Sequence, residues 1–202
     1  ACAPAGENAA EAPEPAATPV QGEASLKETN LQTAEAFIDA FYSFNPERLG
    51  ALLTAANESS EGILYYQGWA DGGNYVIVDR QPCEAESAEL IRCPITVQDD
   101  PVVALKTGFN VTDTFHLTFT GTEITAVETS SNDQPIYYEA RQWVETNMPE
   151  IMSGPCSNRG TAEGTPADCA RAMTEGYRRF YAAVYEGSEA PADAIDAEGS
   201  EG

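Results

Sequence analysis

Histidine and basic residues are scarce in this chain of 202 residues. One His and ten Lys and Arg stand against 33 Asp and Glu, which gives a formal charge of −23. A charge this negative repels phosphate backbones, so we expect no direct binding to nucleic acid. A single imidazole also excludes a metal site built from several His and any mechanism that needs two of them.

Motifs for cofactors and for membrane spans are missing as well. The sequence has no phosphate-binding loop, no dinucleotide fingerprint and no C-x-x-C pair, so we expect neither a cofactor nor a metal. It has no run of 18 apolar residues, which a transmembrane helix would need. The remaining composition, with 42% hydrophobic residues, is that of an ordinary folded domain.

Part of the acidic charge is concentrated at the two ends of the chain. Residues 1–25 contain four Glu and no base, and residues 186–202 contain six acids and no base. Both ends lack aromatic residues and an apolar helical stripe, so they bury too little surface to offset the entropy of ordering. The sequence therefore predicts a disordered tether over 1–25, one domain over 26–185 and a disordered acidic tail over 186–202.

Four of the five Cys form two local pairs. Cys83 and Cys93 lie ten residues apart, and Cys156 and Cys169 lie thirteen apart. This spacing favours two disulfides over a metal site, because zinc ligands are usually closer in sequence. Disulfides persist in oxidising compartments, so the pattern predicts an exported protein.

Cys2 is left over, within a segment rich in Ala, Pro and Glu. Mature bacterial lipoproteins begin with an acylated Cys that follows a small residue in the precursor, and Ala1 precedes Cys2 here. The alternative is a free thiol in a flexible tail. We expect the lipid anchor, which would hold the protein in the bacterial cell envelope, facing the periplasm or the exterior, without spanning the membrane.

The spacing of apolar residues changes from helical to alternating and back along the chain. The stripes expected to be buried consist of Leu31, Ala34, Phe37, Ile38 and Phe41 in the first helix and of Ala170, Met173, Tyr177, Phe180 and Val184 in the last. In the strand over 113–120, Phe115, Leu117 and Phe119 are expected on the buried face. A run of helices followed by a run of strands is typical of the α+β class. The patterns predict helices over 31–44, 46–53 and 60–69, strands over 75–81, 88–97, 113–120 and 123–129, a short helix from Asp100 to Lys106, and helices over 136–148 and 166–185.

Four segments carry a resemblance to a known family. They are TAEAFIDAFYSFNPERLGALL (33–53), YYQGWADGGNY (65–75), CPITVQDD (93–100) and VTDTFHLTFTGTEITAVETSSND (111–133). The chain resembles the nuclear transport factor 2-like superfamily, which includes SnoaL-like and ketosteroid-isomerase-like proteins, and more narrowly its bacterial envelope members. The resemblance implies a cone in which a curved antiparallel sheet wraps around the first helix and leaves a pocket at its open end. The Cys pairs and the helical extension from about residue 150 depart from the family pattern.

Isomerases of that superfamily use an Asp base together with a Tyr or a protonated acid. The nearest candidates for pocket residues here are Tyr65, Tyr66, Trp69, Asp71 and Tyr75. Other interpretations remain open: Asp71 precedes two Gly and is typical of a turn, whereas Tyr66 and Trp69, three apart, are typical of a core. No residue can be assigned from sequence as the catalytic base.

Other polar and aromatic residues are better explained by structure than by chemistry. His116 shares a polar strand face with three Thr, which favours a surface position over a general base. One Asp of the Asp99-Asp100 pair is better explained as a helix cap than as part of a cation site. The Tyr137-Tyr138 pair and Trp143 are expected to pack in the core.

Three functional hypotheses follow. The favoured one is a non-catalytic exported lipoprotein with a pocket for a small, partly apolar ligand, or with a role in protein contacts. The second is an isomerase- or cyclase-type enzyme that uses a pocket Asp and Tyr. The third is a structural protein that forms a homodimer through its sheet. A dry cavity above about 300 Å³, lined by an acid with no neighbouring base, would favour the enzyme, and a pocket filled by core side chains would exclude it. A long apolar groove without acids would favour ligand binding.

Overall fold

The computed structural model describes residues 19–157 and 164–187, which form seven α-helices and an antiparallel sheet. The predicted α+β class is confirmed. No helix in these two ranges is long and apolar enough to cross a membrane. The elements are α1 (Pro19–Phe41), α2 (Pro46–Gly50), α3 (Ser60–Gly72), β1 (Val76–Arg80), β2 (Glu84–Ala85), β3 (Leu90–Gln98), α4 (Asp100–Ala104), β4 (Val111–Thr120), β5 (Glu123–Ser131), α5 (Pro135–Asn147), α6 (Pro149–Ser153) and α7 (Pro166–Tyr181), with a π-helical turn over Ala182–Glu186.

The sheet runs in the order β1-β3-β4-β5, and the short β2 pairs with β3. All pairs are antiparallel, and Phe115 at the centre of β4 lies opposite Cys93 on β3 and Thr129 on β5. Burial alternates strictly along β3 and most of β4, so one face of the sheet lies in the core and the other faces outward. The half-buried strand predicted from Phe115, Leu117 and Phe119 is confirmed.

Helix α1 packs its apolar stripe against the inner face of the sheet. Phe37 and Phe41 approach Phe115 edge-on, with ring centroids 5.6 and 4.8 Å away. The α1 stripe expected from sequence is confirmed, because Ala34, Phe37, Ile38 and Phe41 are all fully buried, and Leu31 packs against this core.

The start of α1 differs from the prediction. The helix begins at Pro19, so residues 19–25, which the sequence places in the tether, are helical, whereas residues 1–18 lie outside the described ranges. Buried Asn30 anchors this half of the helix: its Nδ2 donates to the carbonyls of Ala88 (2.7 Å) and Gly121 (2.9 Å). Residues 22–29 are mostly polar and exposed, so no apolar stripe signals a helix there.

Helix α3 is attached to the end of α1 by one buried amide. Gln67 Nε2 donates to the carbonyls of Ala40 (3.1 Å) and Phe41 (3.0 Å). These carbonyls belong to the last turn of α1 and also accept the backbone N–H of Ser43 and of Phe44 in the turn that follows. The bond fixes α3 across the end of α1 and so sets the position of the aromatic residues on either side of Gln67.

Both predicted disulfides are present. Cys83 joins the segment after β1 to Cys93 on β3, and Cys156, just after α6, joins Cys169 in the first turn of α7. Each closes a short loop, which stabilises a fold by about 2–3 kcal/mol through the entropy of the unfolded chain. The second disulfide fixes α6 to α7 beside the sheet.

The C-terminal helices form a second core. Within α7 the predicted stripe of Ala170, Met173, Tyr177 and Phe180 is buried. Val184 is a wrong prediction: it is 42% exposed, because the backbone changes to a π-helical turn at Ala182 and no longer keeps the 3.6-residue period. Trp143 packs on Phe180, with ring centroids 6.0 Å apart, as expected of a packing residue.

Candidate functional site

A cavity of about 350 Å³ lies between the sheet, α3 and the C-terminal helices. Its walls combine aromatic rings, methionines and buried carboxyl groups. The surrounding side chains do not fill this space. Its lining consists of Tyr65, Tyr66, Trp69, Tyr75, Asp99, Val102, Val111, Asp113, Thr129, Ser130, Ser131, Asp133, Tyr137, Arg141, Met152, Cys156, Cys169, Met173 and Tyr177.

Helix α3 and the residues after it supply four of the five predicted pocket residues. Tyr65, Tyr66, Trp69 and Tyr75 all line the cavity. Asp71 is exposed and is absent from the described lining; its carbonyl accepts the backbone N–H of Gly73 and of Asn74 at the end of α3. The structure thus places Asp71 in the helix-terminating turn that its two following Gly indicate.

Asp113 lies on the inner face of β4, two residues before Phe115, and was missed by the sequence reasoning. It is only 4% exposed, and its carboxyl is hydrogen-bonded to Tyr66, but its Oδ2 has no partner among the described residues. Burial raises the pKa of Asp113 to about 6, although the bond to Tyr66 lowers it. The signal was available, because the alternation that buries Phe115, Leu117 and Phe119 also places Asp113 on their face.

Asp99 is the second buried carboxyl, 2% exposed, at the start of α4. Its Oδ1 accepts the backbone N–H of Val102 at 2.8 Å, so Asp99 is the member of the Asp99-Asp100 pair that caps the helix. Its Oδ2 has no partner among the described residues. Burial is the main cause that raises the pKa of Asp99 to about 7, and the charge of Asp113 raises it further.

Aromatic residues surround the two carboxyls. The ring of Tyr66 stacks on Phe115 at 6.0 Å and meets Tyr75 edge-on at 6.3 Å. The indole N–H of Trp69 donates to the hydroxyl of Tyr75. Burial raises the pKa of Tyr66 and Tyr75 well above the usual value, so both phenols stay neutral and can act as hydrogen-bond donors.

The C-terminal helices cover one side of the cavity, a role the sequence did not predict for them. Met173 and Tyr177 on α7 and the Cys156–Cys169 disulfide face it. Tyr137 packs on Tyr177, with ring centroids 5.4 Å apart, and also lines the cavity. Tyr138, predicted to pack in the core, is 55% exposed because its neighbour Tyr137 occupies the inward position on α5.

The exposed side of the lining is polar. Thr129, Ser130 and Ser131 lie at the end of β5, with Asp133 after them and Arg141 on α5. The guanidinium of Arg141 is bonded to Glu145 at 3.1 Å. This side of the cavity therefore combines hydroxyls, one acid and one paired base.

His116 lies on the outer face of β4, away from the cavity. Its ring Nε2 is 3.1 Å from Ser130 Oγ on the neighbouring strand, in an exposed contact. The surface position expected from its Thr neighbours is confirmed. Within residues 19–157 and 164–187 no group of three His, Cys, Asp or Glu is placed to hold a metal ion.

Comparison of the chain with protein-family models, with curated proteins and with solved structures found no match.

The buried carboxyls predict an unusual dependence of stability on pH. Both pKa values are higher in the folded than in the unfolded chain, so their contribution is full below about pH 4 and is lost as pH rises through 6 and 7. We expect the free energy of unfolding to fall over this interval, by a few kcal/mol on the scale of ~1.4 kcal/mol for each pKa unit. Urea unfolding at a series of pH values measures it.

Two isosteric variants separate this effect from general charge repulsion. Asp99→Asn keeps a good N-cap, and Asp113→Asn keeps an acceptor for Tyr66, so both should flatten the decline. Asp71→Asn removes the same charge from an exposed site and should leave the slope unchanged. Equal slopes in all three variants would show that neither carboxyl has a raised pKa.

Proposed function

We propose that this protein binds a small, partly apolar molecule in the cavity between its sheet and its C-terminal helices. The observation that carries the proposal is the cavity itself, about 350 Å³ in volume, with two buried carboxyl oxygens, Asp99 Oδ2 and Asp113 Oδ2, that lack a partner in residues 19–157 and 164–187. Ligand sites commonly have this size and combine apolar walls with a few converging polar groups.

The wider setting of the proposal comes from the sequence. A nuclear transport factor 2-like cone, the homodimer and contacts with other proteins stay predictions, and the antiparallel sheet packed on α1 is compatible with the cone. We also propose an exported lipoprotein anchored through acylated Cys2, which lies outside the described residues. The two disulfides support the oxidising compartment. Mass spectrometry of membrane-fraction protein made from the full precursor tests the anchor, and an unmodified thiol on Cys2 would contradict it.

Binding of 2-phenylethanol, a neutral and partly apolar probe, tests the pocket. Thr129 is an exposed lining residue on the inner side of β5, so Thr129→Trp should fill the entrance without disturbing the core. We expect millimolar binding of the probe by the wild type and a loss of roughly tenfold or more in the variant, as a ring that replaces the ligand's space would cause. Chemical-shift titration by NMR measures it.

Glu128→Trp is the matched control. Glu128 is the adjacent exposed residue and lies opposite His116 on the outer side of the sheet. The Glu128→Trp variant adds the same ring to the same strand and should leave binding of the probe unchanged. Equal loss in both variants, or no shift of any cavity residue at saturating probe, would refute the proposed site.

Acid–base catalysis is the second candidate, and a specific observation favours it. Asp113 has a pKa of about 6 and is hydrogen-bonded to Tyr66, and Asp99 has a pKa of about 7. An ionised Asp113 can take a proton from carbon next to a carbonyl, while neutral Tyr75 or protonated Asp99 donates a hydrogen bond to the resulting enolate oxygen. This pairing fits the isomerase- or cyclase-type alternative.

Proton exchange on a simple ketone tests that candidate. If Asp113 is a base, 4-phenyl-2-butanone in D₂O should incorporate deuterium next to its carbonyl, at a rate that rises with pH through about 6. Asp113→Asn should lower the rate by at least ~100-fold, the usual contribution of a general base. Mass spectrometry follows the label. Exchange no faster than in buffer would leave binding as the function.

A further inference from the structure

We propose that the ligand of this cavity carries an ammonium group that donates hydrogen bonds to the carboxyl groups of Asp99 and Asp113, with an apolar body packed against the aromatic wall. The inference rests on the proposed binding function and names the chemical class of its ligand. It comes from four features: the unpartnered oxygens, the balance of charge around them, the aromatic rings and the protonation of the carboxyls.

Each of the two buried carboxyls has an oxygen that lacks a hydrogen-bond donor in the described structure. Asp99 Oδ1 caps α4, and the carboxyl of Asp113 is bonded to Tyr66. The Oδ2 atom of each residue has no partner in the described structure. A buried acceptor without a donor costs about 1–3 kcal/mol, and more when it is charged. A ligand with N–H donors supplies the kind of group that these carboxyls lack.

The charge around the oxygens favours a cation over an anion. Asp133 raises the pKa of both carboxyls, and neighbouring Asp100 raises that of Asp99. Arg141 is the basic residue of the described lining, and Glu145 already pairs with it. The site thus holds more acidic than basic groups, so a carboxylate or phosphate ligand would be repelled.

The aromatic wall suits the same class of ligand. Tyr66, Trp69, Tyr75 and Tyr137 line the cavity beside the carboxyls. The faces of such rings attract a cation by about 0.5–2 kcal/mol, and they also pack against an apolar body. Val102, Val111, Met152 and Met173 supply the rest of the apolar surface. The site therefore offers acceptors at its acidic end and hydrophobic contact elsewhere.

Protonation of the carboxyls makes binding depend on pH. Without ligand, burial keeps the pKa of Asp99 at about 7 and that of Asp113 at about 6. An ammonium group beside them favours their charged forms and lowers both values. Binding must then release protons, and the affinity must rise with pH from about 5 to about 8 until both carboxyls are ionised.

Four probes that share one body test the inference in the whole protein. They are 2-phenylethylammonium, its N,N,N-trimethyl derivative, neutral 2-phenylethanol and anionic 3-phenylpropionate, titrated by calorimetry about one pH unit above and below 7. We expect the primary ammonium to bind at least roughly tenfold tighter than the alcohol at the higher pH, and the carboxylate to bind weakest. The trimethyl derivative should fall between, because it keeps the charge and loses the N–H donors.

Isosteric variants locate the effect. Asp99→Asn and Asp113→Asn should each reduce the preference for ammonium over alcohol by roughly tenfold, because a neutral amide replaces a charged acceptor and the cationic donor loses more than the neutral one. Asp71→Asn, which removes an exposed charge away from the cavity, should behave as the wild type.

The outcomes separate the inference about the ammonium group from the proposed binding function. Equal affinity for ammonium and alcohol would overturn the inference and keep the pocket. Tightest binding of 3-phenylpropionate, or an ammonium preference unaffected by either variant, would overturn it too. If no probe binds and no cavity residue responds, the proposed function itself fails.

Discussion

The strict alternation of inward-facing and outward-facing residues along β4 is the constraint on which the rest of this molecule depends. It commits every second residue from Val111 to Phe119 to the interior, and one of these residues is Asp113. Phe115 and its apolar neighbours gain from this burial, because they pack on Phe37 and Phe41 of α1. Asp113 is carried into the same interior at a cost in desolvation, and its carboxyl is the centre of the candidate site.

The site is assembled from elements that are far apart in sequence. Helix α3 is held by Gln67 and contributes Tyr66 and Trp69, while the cap of α4 contributes Asp99. Helix α7, joined to Cys156 by a disulfide, closes the remaining side. A small cavity with unpaired polar groups lowers the stability of a protein of this size, and such a loss of stability is typical of a functional site.

Sequence patterns predicted the features that depend on residues close together in the chain. The helices, the strands, the α1 stripe and both disulfides follow from spacing, and the Asp71 turn follows from its two Gly. The start of α1 was missed because exposed polar residues carry no periodic signal, and Val184 was misplaced because a π-helical turn breaks the period. The covering of the cavity by α5–α7 depends on long-range packing, which one sequence does not encode in any short pattern. Asp113 could have been found, had the alternation been applied to the polar residue at the start of β4.

The most direct test is the titration of the carboxyl carbons of Asp99 and Asp113, followed by NMR without and with 2-phenylethylammonium. The account predicts that both groups titrate well above the usual range of an Asp in the free protein, and that the ammonium lowers both pKa values. Ordinary values near 4 that the ammonium does not change would contradict it.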